Sequence, residues 1–216
     1  MNGIHDTDKG YGSSSLSNAE THESSTSPDT DDSSKGALFG YTLFALGLAA
    51  VAEADLEGAC RGIATFTGVR RRFELHEGSR GGILINDYAH HPTEIRAVIR
   101  ATRARFPGRR LLVAFQPHQH QRTLCLLPEF ASALAEAEQS VVADIYGARE
   151  SEEIKASVSA RDLVEAVRAQ GAHCEPGGAV GQLSSRVAQL RRADELVLVL
   201  GAGDIDGAVG DILAVL

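Results

Sequence analysis

Two stretches of this chain place imidazoles, a carboxylate, a phenol and a guanidinium just where an apolar run stops. The first is Asn86-Asp87-Tyr88-Ala89-His90-His91-Pro92-Thr93-Glu94. The second is Phe115-Gln116-Pro117-His118-Gln119-His120-Gln121-Arg122-Thr123. Arg122 offers a flat fork of N–H donors, which suits a carboxylate or phosphate. His118 lies four residues before it, so the two share a face of any starting helical turn. Imidazoles move protons near neutrality, so His118 and His120 are candidates for that work. Asp87 closes a buried-type strand, where an unpaired carboxylate is costly. It needs an Arg, a pair of backbone N–H groups or a metal-bound nucleotide as partner.

Each feature also has a plainer reading. Arg122 alone could be a surface residue at a helix start. His90, His91, His118 and His120 could form a metal site, although their spacing fits no H-E-x-x-H or facial-triad pattern. Gly201-Ala202-Gly203-Asp204-Ile205 resembles the start of a dinucleotide-binding G-x-G-x-x-G, but Asp206 stands at its sixth position. It reads better as a tight turn than as a nicotinamide site. Arg70-Arg71-Arg72 is either a charged guard on an edge strand or a phosphate contact across a domain interface.

The elements that must carry these residues follow from the rest of the chain. Its 216 residues, 43% of them hydrophobic, suffice for one full domain and an appendage. The net charge of -8 argues against a nucleic-acid partner. Cys60, Cys125 and Cys174 are odd in number and widely spaced, which fits a reducing, cytoplasmic setting. No secretory signal is evident at the N-terminus. The most apolar run, Ala37–Ala52, falls short of the roughly 20 residues a membrane span needs, so no membrane association is expected.

Residues 1–35 hold seven acids, two bases and almost nothing apolar, and read as a disordered tail. Residues 36–67 read as a helical hairpin, Tyr41–Glu53 followed by Leu56–Ile63 with Asp55 as cap. It has nothing of its own to pack against, which implies a partner surface. Thr67-Gly68-Val69 reads as a hinge, and residues 68–216 as the main domain. There Arg70–His76 and Ile83–Asp87 form an antiparallel edge hairpin. A helix then starts at Pro92 and stops at Pro107-Gly108. Strand Leu111–Phe115, helix Leu124–Glu138 and strand Val141–Ile145 follow. A helix opened by Ser159 and Asp162 runs to Gly171, ahead of a short strand, Ala172–Cys174. Helix Gln182–Leu190, strand Leu196–Leu200 and helix Ile205–Leu216 complete the chain. Repeated β-α units of this kind predict an α/β, Rossmann-like, doubly wound and mostly parallel sheet. Ligands bind such sheets beyond the strands' C-terminal ends.

The two polar stretches, the Gly201–Ile205 turn and Gly68-Val69-Arg70-Arg71-Arg72-Phe73-Glu74 together resemble the C-terminal domain of the Mur ligases. The likeness runs over residues 36–216. Within the family it is greatest for the branch that joins L-alanine to UDP-N-acetylmuramate in peptidoglycan precursor synthesis. The resemblance implies a three-domain, cytoplasmic acid–amino-acid ligase that uses ATP and Mg²⁺ to make an acyl phosphate, which the amino group of L-alanine attacks. It implies that Tyr88, His90, His118 and Arg122 line the alanine site, with Arg122 clamping the carboxylate. Asp87 and His90 would be catalytic, and Asp87 and Arg72 would lie near the nucleotide. No metal ligand is assigned to this chain itself.

The chain also departs from the family. It contains no G-x-x-x-x-G-K-[ST] phosphate-binding loop. Where the family places an adenine-holding His and Asn, this sequence has Gly36, Leu38, Phe39 and Thr42 about those positions. ATP and Mg²⁺ are therefore expected to be beyond this chain alone. A truncated or split ligase, inactive alone and possessing UDP-N-acetylmuramate only through another domain or partner chain, is the first reading. A non-catalytic interaction scaffold that retains the fold is the second.

Overall fold

The structure, a computed structural model, describes residues 44–65, 68–147 and 149–216. The expected tail, and Gly36, Leu38, Phe39 and Thr42, lie outside the described residues. Residues 44–51 form helix α1, and α2 spans Leu56–Ala64. Asp55 caps α2 by accepting from the Glu57 N–H at 3.1 Å. None of the α2 residues is buried.

The main unit is a six-stranded sheet with spatial order β1-β2-β6-β3-β4-β5. Its strands are β1 (Glu74–Glu77), β2 (Ile83–Asp87), β3 (Arg110–Phe115), β4 (Gln139–Ala143), β5 (Cys174–Gly178) and β6 (Glu195–Leu200). Only β1 runs antiparallel to its neighbour; all other pairings are parallel. This is the expected mostly parallel sheet with an antiparallel edge hairpin.

Strand alternation splits the core in two. Leu111, Val113 and Phe115 face one layer with Leu196, Leu198 and Leu200, packed by Ile95, Phe130, Leu134 and Leu163. Those partners come from α3 (Pro92–Arg105), α5 (Leu127–Leu134) and α7 (Ala160–Ala169). Leu112, Ala114, Val197 and Val199 face the other layer, against Leu183, Val187 and Ile212 of α8 (Leu183–Leu190) and α9 (Val209–Val215). With both faces covered, the central strands read as continuous apolar runs. Each fully buried Leu or Phe contributes about 1.5–3 kcal/mol.

Several expected bounds are corrected. The edge strand begins at Glu74 rather than Arg70, because Arg71 and Phe73 take left-handed φ values of 57 and 50 degrees, which no ladder accommodates. The expected helix Leu124–Glu138 is two helices, α4 (His120–Cys125) and α5, with Pro128 in the first turn of α5. Strand β4 starts at Gln139, two residues before its apolar part. Strand β5 runs on through Pro176, tolerated on an edge where the register slips between Val142 and Ala143. The turn after β6 continues as a 3-10 segment, Asp204–Ala208, before α9. A short helix, α6 (Glu152–Lys155), was not expected.

Helices α3 and α7 begin as their sequences suggest. Pro92 occupies the first turn of α3, and His91 and Glu94 form a capping box. Ser159 and Asp162 do the same for α7, and Gly171 at φ 81 follows its end.

Candidate functional site

Three loops leave the C-terminal ends of β2, β6 and β3 side by side. The Gly201 N–H donates to the Asp87 carbonyl at 3.2 Å, and the Gln116 N–H donates to the Leu200 carbonyl at 3.0 Å. The β4 loop joins on the far side through a parallel bridge between His118 and Tyr146.

The Asp87 carboxylate is buried and already engaged. Oδ2 accepts from the Phe73 N–H at 2.7 Å, and Oδ1 accepts from the Ala89 N–H at 2.8 Å. Of the partners this acid could have had, the fold supplies a pair of backbone donors. Asp87 thus ties the segment entering the domain to the loop that carries Tyr88 and His90.

Tyr88, His90 and His118 form a chain of rings. Tyr88 and His90 meet edge to face at 5.5 Å, and His90 and His118 lie 6.2 Å apart. His118 stacks on Tyr146 at 5.4 Å. The His90 Nδ1–H donates to the Tyr88 carbonyl at 3.0 Å, which leaves the Nε2 lone pair as the acceptor of the neutral ring. Burial, then the charges of Arg122 and His90, push the His118 pKa below its ordinary value, against an opposing pull from Glu150. These influences favour the neutral form of His118. Its Nδ1 is buried without a hydrogen-bond partner, and so is Nη1 of Arg122. Tyr88, His90 and His118 thus form one connected group, and Arg122 is near enough to His118 for its charge to act on that ring.

His91 is the cap of α3, accepting from the Thr93 N–H at 3.3 Å. Glu94 accepts from the N–H groups of His90 and His91 at 2.9 and 3.1 Å. Burial raises the Glu94 pKa, but those N–H groups and the charges of His90 and Arg72 bring it below the usual glutamate value. Among the described residues, no three His, Cys, Asp or Glu side chains converge on a metal position.

The Gly201–Gly203 turn is filled from within. A Cβ on Gly203 would lie 2.4 Å from Oε1 of Gln116, and Gly201 adopts φ 153 against the Gln116 carbonyl. Gln116 donates to Asp204 at 2.6 Å and accepts from the Ile205 N–H at 3.0 Å. Arg71 donates to the carbonyls of Gly201 and Gly203 and lies 4.7 Å over the Tyr88 ring. The turn therefore presents no open phosphate cradle, and Asp204 and Asp206 line its next residues.

The sequence singled out Arg72 from the basic cluster. Arg72 is exposed, 5.6 Å from the Tyr88 ring centroid, while Arg71 makes the contacts to the Gly201–Gly203 turn. Sequence reasoning also missed Glu150, Tyr146 and the Asn86–Asp206 hydrogen bond of 2.8 Å. Gln116 stood inside a recognised stretch, but nothing in the pattern pointed to Glu150.

An open parallel sheet with convergent basic and aromatic groups beyond its C-terminal edge defines a ligand-binding α/β domain. Residues 71–203 match the family described as Mur ligase, glutamate ligase domain, and this chain belongs to the Mur ligase family. It is 42% identical over 176 residues to the UDP-N-acetylmuramate–L-alanine ligase of Mycolicibacterium gilvum, a match covering 80% of this chain and 36% of that enzyme. It is 43% identical over 161 residues to the same ligase from Streptomyces avermitilis, covering 74% and 33%. The crystal structure of UDP-N-acetylmuramate-alanine ligase from Thermotoga maritima shares the fold with a TM-score of 0.59 at 24% identity, over 80% of this chain and 36% of that one. The chain spans about a third of the length of the curated relatives it matches.

Proposed function

We propose that residues 68–216 form the amino-acid-receiving domain of an ATP-dependent UDP-N-acetylmuramate–L-alanine ligase, working in the cytoplasm on peptidoglycan precursors. The observation that carries this is the pair of buried, unpartnered nitrogens, Nη1 of Arg122 and Nδ1 of His118. A buried donor without a partner costs about 1–3 kcal/mol, a cost that a ligand of matching chemistry removes. L-Alanine supplies a carboxylate for the Arg122 fork and an amine that faces the imidazoles. As the amine nitrogen forms the new C–N bond to the acyl carbon of the muramoyl phosphate, the acyl C–O bond breaks, phosphate leaves, and the nitrogen must shed a proton. His118, whose neutral form is favoured by its surroundings, accepts it. Tyr88 closes the pocket as an aromatic wall.

Asp87 acts by holding the loop under His90, not by touching substrate. Arg72, exposed beside Tyr88, is the cation available to a nucleotide held elsewhere. The sequence contains no phosphate-binding loop, so in this reading the chain binds L-alanine, and a further domain or partner chain provides the ATPase and the UDP-sugar site. Neither nucleic acid nor membrane is a partner in this reading. Titration calorimetry with L-alanine tests it. Arg122→Ala should weaken binding by roughly 1.5–3 kcal/mol, the worth of a charge-assisted bidentate contact. Equal affinity in the two proteins would remove the clamp.

A scaffold role is favoured by one observation. Phe44, Leu48 and Val51 of α1 are 67%, 55% and 84% exposed on one helical stripe, a surface suited to another protein. A strictly monomeric chain that recovers no partner counts against it.

A further inference from the structure

Helix α4 carries Arg122 but is only six residues long, and a helix that short is marginal by itself. Its own N-cap, Gln119, sits at φ 71 and gives the first turn no side-chain hydrogen bond. The missing acceptor comes from the loop after β4. Oε2 of Glu150 accepts from the His120 N–H at 2.8 Å and from His120 Nδ1–H at 2.9 Å, and Oε1 accepts from the Gln121 N–H at 3.0 Å. The Glu150 side chain is 8% exposed. Burial raises its pKa, but the two N–H groups and the His120 ring outweigh that and hold it below the usual glutamate value.

The same two loops are stitched beside this contact. The Gln119 N–H donates to the Tyr146 carbonyl and the Tyr146 N–H to the Pro117 carbonyl, both at 2.9 Å. Gly147 allows the approach, since a Cβ there would lie 2.9 Å from Cε1 of His120. Gln119 and Arg149, one on each side of the contact, both adopt left-handed φ, a local cost usually borne where side chains must be aimed. A cavity of about 650 Å³ opens here, bounded by His118, Tyr146, Glu150 and Ile154.

We propose that Glu150 is a positioning residue for the amino-acid site: by capping α4 from another loop, it fixes the direction in which that helix presents Arg122 beside His118. The proposal rests on the reading of Arg122 as the carboxylate clamp. Charged and titratable groups face His118 from three elements: His90 from the β2 loop, Arg122 from α4 and Glu150 from the β4 loop. Removing the Glu150 charge withdraws the one influence that raises the His118 pKa, so the ring should titrate lower still.

The test uses the full chain with Glu150→Gln, Glu150→Ala and Glu150→Asp. Glu138→Gln serves as control, because Glu138 caps a backbone N–H, that of Leu111, at the opposite end of the sheet. Calorimetry with L-alanine and NMR of the Arg122 Nε–H and the His118 ring supply the readouts. Glu150→Gln and Glu150→Ala should bind L-alanine roughly tenfold or more weakly, shift the Arg122 resonance and lower the His118 titration. Glu150→Asp should restore part of each, and Glu138→Gln should lower stability while moving none. Wild-type affinity together with wild-type Arg122 and His118 signals in Glu150→Gln would overturn the proposal. If the wild type itself fails to bind L-alanine, the amino-acid reading falls. The NMR arm still decides: displaced signals support positioning by Glu150, and unmoved ones overturn it.

Discussion

The two ends of the parallel sheet put buried polar groups to different uses. At the N-terminal ends of β3, β4 and β6, fully buried Glu195 is saturated: it pairs with Arg110 at 3.2 Å and accepts from the Gln139 amide and the Arg192 N–H. Glu138 beside it accepts from the Leu111 N–H at 2.8 Å and from Arg103 at 3.0 Å. At the C-terminal ends, Asp87, Gln116 and Glu150 are likewise satisfied. Buried side-chain atoms without a partner occur near both ends, Ser140 Oγ and Arg191 Nε at the first and Arg71 Nε, Asn86 Oδ1, His118 Nδ1 and Arg122 Nη1 at the second. At the second, Arg122 and His118 are the pair that the proposed function assigns to a ligand. That contrast separates polar groups that hold the fold from those that serve binding, although the residue types are the same.

The largest effect should follow from breaking the Glu195 network. Glu195→Ala strands its donors in the core and should cost about 3 kcal/mol, lowering Tm by roughly 6–12 °C. L-Alanine affinity per folded molecule should not change. A fall in that affinity would show that the two ends are coupled. At the other end, Arg122→Ala should leave Tm unchanged or slightly raised, because it removes an unmatched donor. A fall as large as that of Glu195→Ala would make Arg122 structural and erase the contrast.

Gly203→Ala tests how tightly the ligand-facing turn is packed. Its Cβ would meet Gln116 at 2.4 Å and Tyr146 at 2.9 Å, so it should cost about 1–3 kcal/mol. Because Tyr146 stacks on His118, the His118 ring signal should move with it. Thermal unfolding and histidine NMR read the two together, and an unmoved ring would loosen the link between turn and pocket.

The smallest effect concerns acid. Burial raises the Glu138 pKa, but the Leu111 N–H and Arg103 more than reverse this, and Glu150 is lowered in the same manner. A carboxylate with a lowered folded pKa contributes stability that is complete above the unfolded glutamate range and is lost as pH falls through the lowered value. Urea midpoints should therefore decline below about pH 4.5, the reference glutamate value, and Glu138→Gln should flatten that decline. An unchanged slope would mean that Glu138 does not govern the acid limb.

The sequence made the layers and the two site loops legible wherever local chemistry and tertiary packing agree. Leu111–Phe115 and Leu196–Leu200 are apolar throughout because both their faces are covered, and Pro92 with Ser159 marked helix starts from the chain alone. What escaped was set by partners distant along the chain. Arg71 abandons the strand conformation to reach Gly201 and Gly203, 130 residues away. Glu150 caps a helix 30 residues before it, from within a polar run without periodicity. The four side chains proposed for the site were picked out from the sequence, whereas Glu150 and Tyr146 beside them were not.

The tie between Asp87 and the Phe73 N–H has a mechanical result. Everything from Arg71 onward travels with the rim of the pocket, while Gly68, at φ 103 with open space around its α-carbon, is not stitched to it. A rotation at Gly68 would therefore leave Tyr88, His90, His118 and Arg122 in register, like a door turning on a pin set outside its frame.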